Sequence, residues 1–164
     1  MQDRTDCIYD ALRENGWTIS KQNSHPYRLP ACISVRYNSL PAEWVEFLNS
    51  ISVCVNPDAT AWFLCMDDFN EQGKDAFRWN EFELMSLNAA IDYGDTEWQA
   101  SIEMFWDNHL PIYLSVAGEY EYYAIRMSDG VVVNGVEPEF EETTDIAPSF
   151  SCFLEMICAG ECIL

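Results

Sequence analysis

His109-Leu110-Pro111-Ile112-Tyr113-Leu114-Ser115-Val116-Ala117-Gly118-Glu119-Tyr120-Glu121-Tyr122-Tyr123-Ala124-Ile125-Arg126-Met127-Ser128-Asp129-Gly130-Val131-Val132-Val133 decides the fold class. Beyond Leu110-Pro111 the pattern becomes that of strands, at residues 112–116, 120–126 and 131–133. Met127-Ser128-Asp129-Gly130 joins the last two with an Asp-Gly end that suits a hairpin. Along the middle strand, alternation puts Tyr120, Tyr122 and Ala124 on one face and Glu121, Tyr123 and Ile125 on the other, so at least one tyrosine face belongs to the core.

Upstream, a helix is expected over residues 5–15, with Ile8 and Leu12 on one face and Gly16 as its stop. Trp17-Thr18-Ile19 reads as a short strand. Residues 20–38 carry Pro26 and Pro30 around the alternation Ile33, Val35, Tyr37, which predicts a loop leading into an edge strand. Leu40-Pro41-Ala42-Glu43 opens a helix whose Trp44, Phe47, Leu48 and Ile51 recur at i, i+3, i+4 and i+7. Residues 61–66 read as a buried strand and 67–75 as a polar connection. Asn80 with Glu83 resembles a capping box opening a helix through Phe82, Met85 and Ala89, and Thr96 is expected to cap another through Trp98, Ile102, Phe105 and Trp106. A short strand is expected near 136–140. The final helix starts near Ala147-Pro148-Ser149, carries Phe150, Phe153, Leu154 and Ile157, and ends at Gly160. This order predicts one α+β domain, an antiparallel or mixed sheet flanked by α-helices.

A chain of 164 residues that is 49% apolar and 14% aromatic is expected to fold as one domain with a sizeable core. Its charge is unusual: 28 acidic against 8 basic residues, a net of −20. Residues 1–78 hold 7 basic and 11 acidic side chains; residues 79–164 hold 17 acidic ones and a single base, Arg126. Direct binding to nucleic acid or to an anionic membrane surface is excluded on that ground, since both need a basic footprint. The charged start Met1-Gln2-Asp3-Arg4 is unlike a signal peptide, and no apolar run approaches the roughly 20 residues of a membrane span. Seven cysteines, odd in number and without a CxxC pair, suit a reducing compartment. The expectation is a soluble, cytoplasmic protein, a monomer or a weak homodimer.

Chemistry is sparse. Asp68-Phe69-Asn70-Glu71-Gln72-Gly73 imitates the first half of a calcium loop, but its twelfth position is Trp79, which cannot ligate a hard cation. Cys158 and Cys162 have Gly160 between them and no histidine near. His25 and His109 lack any neighbouring motif of acid-base or nucleophilic catalysis. No enzyme, no metal and no cofactor is expected. Glu137-Pro138-Glu139-Phe140-Glu141-Glu142-Thr143-Thr144-Asp145 places five acids in nine residues. A solvated loop explains it; so does part of an extended negative face that includes Asp67, Asp68, Glu119 and Glu121. The partner-binding candidates are therefore Asp67, Asp68, Glu119, Glu121, Glu137, Glu139, Glu141, Glu142 and Asp145, with Tyr120, Tyr122 and Tyr123 as possible aromatic anchors.

Four segments carry a family resemblance. Leu40-Pro41-Ala42-Glu43-Trp44-Val45-Glu46-Phe47-Leu48, Trp106-Asp107-Asn108-His109-Leu110-Pro111-Ile112, the hairpin ending Asp129-Gly130-Val131-Val132, and Ile146-Ala147-Pro148-Ser149-Phe150-Ser151-Cys152-Phe153-Leu154 together resemble the SUKH superfamily in its Smi/Knr-like branch, over roughly residues 39–158. Residues 39–164 are then the SUKH-like α+β domain, and 1–38 a helix-and-strand extension of the same domain that lies outside the resemblance. The resemblance implies a sheet domain without catalytic residues. Its bacterial members are immunity proteins that neutralise toxin domains, often nucleases, in contact-dependent and other polymorphic toxin systems, and its fungal members are scaffolds of cell-wall regulation. The function expected is a cytoplasmic immunity protein that binds a basic cognate toxin domain; the alternative is a non-catalytic interaction scaffold.

Overall fold

The computed structural model describes residues 2–23, 28–70, 77–162 and 164. His25, Pro26, Glu71, Gln72 and Gly73 lie outside the described residues. Seven strands form one antiparallel sheet whose spatial order is the chain order: β1 (Thr18–Lys21), β2 (Ile51–Val55), β3 (Ala61–Phe63), β4 (His109–Ser115), β5 (Glu121–Arg126), β6 (Val132–Val136) and β7 (Thr143–Ala147). The helices are α1 (Gln2–Glu14), α2 (Ala31–Ser34), α3 (Ala42–Ser50), α4 (Met66–Phe69), α5 (Glu81–Tyr93), α6 (Thr96–Asp107) and α7 (Phe150–Cys158).

The layering follows from β5. Successive side chains on a strand point to opposite faces, yet Tyr122 and Tyr123 are both buried, so the sheet is covered on both sides. Tyr123 meets Tyr113 and Phe153, which lead on through Phe63 to Phe47 and Phe150; this is the face covered by α3 and α7, with α1 packed on α7. Tyr122 meets Phe82 of α5, Trp106 of α6 and Phe140 on the opposite face. Every residue of β4 is buried, as a central strand covered on both sides should be.

Several local expectations give way to tertiary contacts. Residues 31–37 form the short helix α2 and its exit, not an edge strand. Ile33 and Tyr37 are buried one helical turn apart, while Val35 between them is 80% exposed; spacing of two and of four coincide at those positions. The helix of Trp44, Phe47 and Leu48 ends at Ser50, and Ile51 instead begins β2, a strand absent from the expectation. Of the connection expected over 67–75, the described part is the end of α4 and Asn70. Asp95 rather than Thr96 caps α6, accepting from the Trp98 amide at 2.9 Å. Glu83 does not close a capping box: Asn80 makes no side-chain cap bond, and Glu83 is buried in an ion pair described below. The strand expected near 136–140 lies later, at β7, which begins in the last residues of the acidic run. Ser149 caps α7 through the Cys152 amide at 3.2 Å.

The extension is part of the fold. β1 pairs with β2, and Trp17 packs against Phe63 and Tyr113. Tyr9 of α1 packs against Phe47 and hydrogen-bonds Ser50, and burial pushes its hydroxyl up to about 12.

Gly135 stands opposite Tyr122 on β6, and a Cβ there would sit 2.5 Å from the tyrosine Cζ. Gly135→Ala is expected to destabilise the fold by about 2 kcal/mol or more through overpacking, read as a lower urea midpoint; an unchanged midpoint would mean that the Tyr122 ring moves freely.

Candidate functional site

The nine acidic candidates do not form one free face, because the fold uses most of them internally. Asp68 accepts the Cys65 amide at 2.7 Å and so opens α4. Glu121 accepts from Asn134 Nδ2 at 2.8 Å across β5 and β6. Glu137 accepts the Tyr120 amide at 2.8 Å while its own amide donates to the Tyr120 carbonyl, closing the end of the β5–β6 ladder. Glu141 accepts from the indole Nε1 of buried Trp106 at 2.8 Å. Asp145 pairs with Arg126 at 2.8 Å. Asp67, Glu119, Glu139 and Glu142 are exposed. Glu139 and Glu142 share one turn, the Glu142 amide donating to the Glu139 carbonyl.

These positions separate along β5. Glu119, Glu121 and Glu137 gather where β5 begins, whereas Asp145 lies near Arg126 where it ends, about 17 Å away for six extended residues. Asp68 belongs to the first group: it shares a shallow depression with Trp62, Phe77 and Val116, and Phe77 meets Tyr120 edge-on. The run 137–145 is not a free loop. Phe140 is buried at its centre, stacked on Phe82 at 4.7 Å, and its carbonyl accepts the Tyr122 hydroxyl. Tyr122 and Tyr123 are core residues, so of the three tyrosines only Tyr120, half-buried against Phe77 and Phe82, reaches the surface.

Arg126 is the one base among residues 79–164, and it is shared by Asp129 and Asp145 at 2.8 Å each. Those contacts raise the guanidinium above its ordinary range and hold Asp129 below the usual carboxylate value. Arg36 does similar work for the helical layer: Nη1 and Nη2 donate to both Glu83 oxygens at 2.8 and 2.6 Å, and Nε to Asp107 at 2.8 Å. Tyr37 beside it donates to the carbonyl of Trp106 at 2.9 Å. The segment after α2 thus fastens α5 and α6 to the rest of the molecule, with α5 and α6 holding seven acids and no base in residues 81–107.

The other chemical groups are placed as follows. His109 begins β4; its ring stacks on Phe105 at 3.8 Å with Nδ1 bonded to the Phe105 carbonyl, and burial lowers its pKa. Trp79, the twelfth position of the calcium-like stretch, is buried against Phe69 and Tyr37. A cleft of about 420 Å³ between α1, α3 and α7 is lined by Cys7, Glu43, Glu46, Phe47, Leu154 and Cys158, among others. Burial and the adjoining Cys7 thiol push Cys158 up to about 12. All seven cysteines are free thiols. No described helix is long and apolar enough to cross a membrane.

Sequence reasoning also missed a surface. The pattern of α5 and α6 shows which residues can face the core but not that Tyr93 and Trp98 meet in the open, ring to ring at 6.0 Å. No family model, curated protein or solved structure matches the chain.

Two outcomes are expected. Arg36→Leu strands the buried Glu83 carboxylate and should cost about 3 kcal/mol, with much of the loss recovered in Arg36→Leu/Glu83→Leu, as read by a double-mutant cycle in urea. His109 prefers to be neutral in the folded state, so below its unfolded value near 6.5 the unfolded chain takes up the proton first and stability falls with falling pH. His109→Asn, which keeps a donor for the Phe105 carbonyl, should flatten that decline below about pH 6.5, measured by urea midpoints.

Proposed function

We propose that this chain is an immunity protein of the SUKH type, which binds a basic toxin domain in the cytoplasm and blocks it. The observation carrying the proposal is the charge that the fold leaves uncompensated. In residues 79–164 one cation serves two acids, while Glu119, Glu139 and Glu142 face solvent and no salt bridge reaches them among the described residues. Such a surface repels nucleic acid and attracts a protein that has evolved to bind it, the carboxylates standing where phosphates would. Complementarity of this kind acts chiefly on encounter rate and on choice of partner.

The four segments that resemble the SUKH superfamily lie in α3, in the α6–β4 junction, in the β5–β6 hairpin and in β7–α7. They are packing elements; the contacts with a toxin belong to the surface around them. Seven free thiols agree with a reducing compartment. In this reading Glu141, Glu121 and Glu137 shape the surface through their hydrogen bonds, and Glu139 and Glu142 meet the partner.

The test is co-expression with the C-terminal domain of a toxin encoded beside this gene. Rescue of growth and co-purification are expected; failure of both removes the proposal, and several weak partners without a neighbouring toxin gene would favour the scaffold. Glu139→Lys/Glu142→Lys should slow association with that domain and flatten its salt dependence in stopped-flow mixing, with the melting temperature unchanged. An unaltered rate would take this turn out of the interface.

A further inference from the structure

Six large apolar side chains of the described residues are exposed, and four of them, Ile91, Tyr93, Trp98 and Met104, belong to the hairpin of α5 and α6. Tyr93 is 84% exposed and Met104 72%. A scattered exposed apolar residue needs no explanation, but an exposed aromatic pair does, and Tyr93 with Trp98 is such a pair. This one sits on a rigid mount: α5 ends at Gly94 in the left-handed conformation (φ 70°), Asp95 caps α6, and no other residue separates the helices. Tyr93 and Trp98 meet across that turn with their rings at 68°. Farther along α6, Met104 and half-buried Phe105 line a shallow depression with Ser101, Asn108 and His109. Asp92, Glu97 and Glu103 are exposed around this surface, and no salt bridge reaches them among the described residues.

We propose that the tip of the α5–α6 hairpin and the outer face of α6 are where a basic protein partner docks, with Tyr93 and Trp98 as paired anchors. The site rests on the reading of the chain as a binder of a basic domain, and it adds aromatic anchors to the acidic contacts named there. Two features of the tip select this occupant. Its aromatic pair is of the residue type that dominates binding energy, and a two-residue turn brings the two rings together before binding. Asp92 and Glu97, next to the pair in sequence, are exposed acids that no salt bridge reaches among the described residues, so the tip repels a second copy of a chain with net charge −20 and attracts a cationic surface. Glu139 and Glu142 lie toward the opposite end of α5, where Phe140 stacks on Phe82.

The experiment compares the full-length protein with Tyr93→Ala/Trp98→Ala, with Glu97→Lys/Glu103→Lys and with the control Val35→Ala/Val53→Ala, which removes exposed apolar groups elsewhere. The probe is the C-terminal domain of the toxin encoded beside this gene, and binding is measured by calorimetry and stopped flow. The alanine pair is expected to weaken binding by about thirtyfold or more, the lysine pair to slow association at low salt, and the control to bind as the parent does. All these positions are exposed, and equal melting temperatures check that the fold is kept. If the alanine pair reduces melting, the lysine pair, which leaves both rings in place, decides alone. Should the parent bind while both hairpin variants bind within twofold of it, the docking site is wrong and the wider reading stands. If the parent does not bind the domain, the wider reading fails and the site falls with it. Sedimentation of the parent in 1 M salt covers the remaining occupant: a dimer that Trp98→Ala dissolves would assign the surface to self-association and overturn the proposal.

Discussion

Tyr122 and Tyr123 stand next to each other on β5, both buried and therefore on opposite faces, and the rest of the molecule is arranged around that demand. Each fully buried side chain of this size contributes on the order of 2 kcal/mol only if water is excluded from it, so both faces of the sheet must be covered. Phe153 and the α7 layer cover one; Phe82, Trp106 and Phe140 cover the other. The ring of Tyr122 fills the space above Gly135, and its hydroxyl holds the Phe140 carbonyl. That bond pulls a segment of five acids down onto the sheet.

Burial of aromatic residues and placement of charge are thus linked. Phe140 enters the core while Glu139 and Glu142 on either side stay in water; Trp106 enters it and its indole N–H needs an acceptor, which Glu141 supplies. Arg36 and Arg126 each bind two carboxylates. Acids that looked interchangeable in the sequence have different tasks: some satisfy buried donors, some neutralise the few cations, and the remainder give the surface its sign. A net charge this large works against compaction through self-repulsion, and a two-sided aromatic core is what offsets it.

Much of the fold was legible. The strand runs of β4 to β6, the apolar faces of α3 and α7, and the stop of α1 at Gly16 could all be read locally because each is a pattern of neighbours in the chain. Apart from the cap of α6, what was misread involved contacts distant in sequence. Glu83 had the spacing of a cap but is bound by Arg36, 47 positions earlier. Ile33 and Tyr37 fitted a strand as well as a helical turn, and the hydrogen bond from Tyr37 to the Trp106 carbonyl, 69 positions later, belongs to the turn. β2 went unseen because Ile51 completed a convincing helical stripe.

By itself the sequence determined the fold class, the sign and unevenness of the charge, and which aromatic residues were available for a core. These are properties of composition and of periods of two to four residues. Only the tertiary structure decided which acids remain free, since a carboxylate is engaged or not by a donor that the chain brings from far away. It also decided that Tyr93 and Trp98, identical in pattern to core residues, face water as a pair: exposure is a property of what packs opposite a helix face, and nothing in residues 91–98 records that.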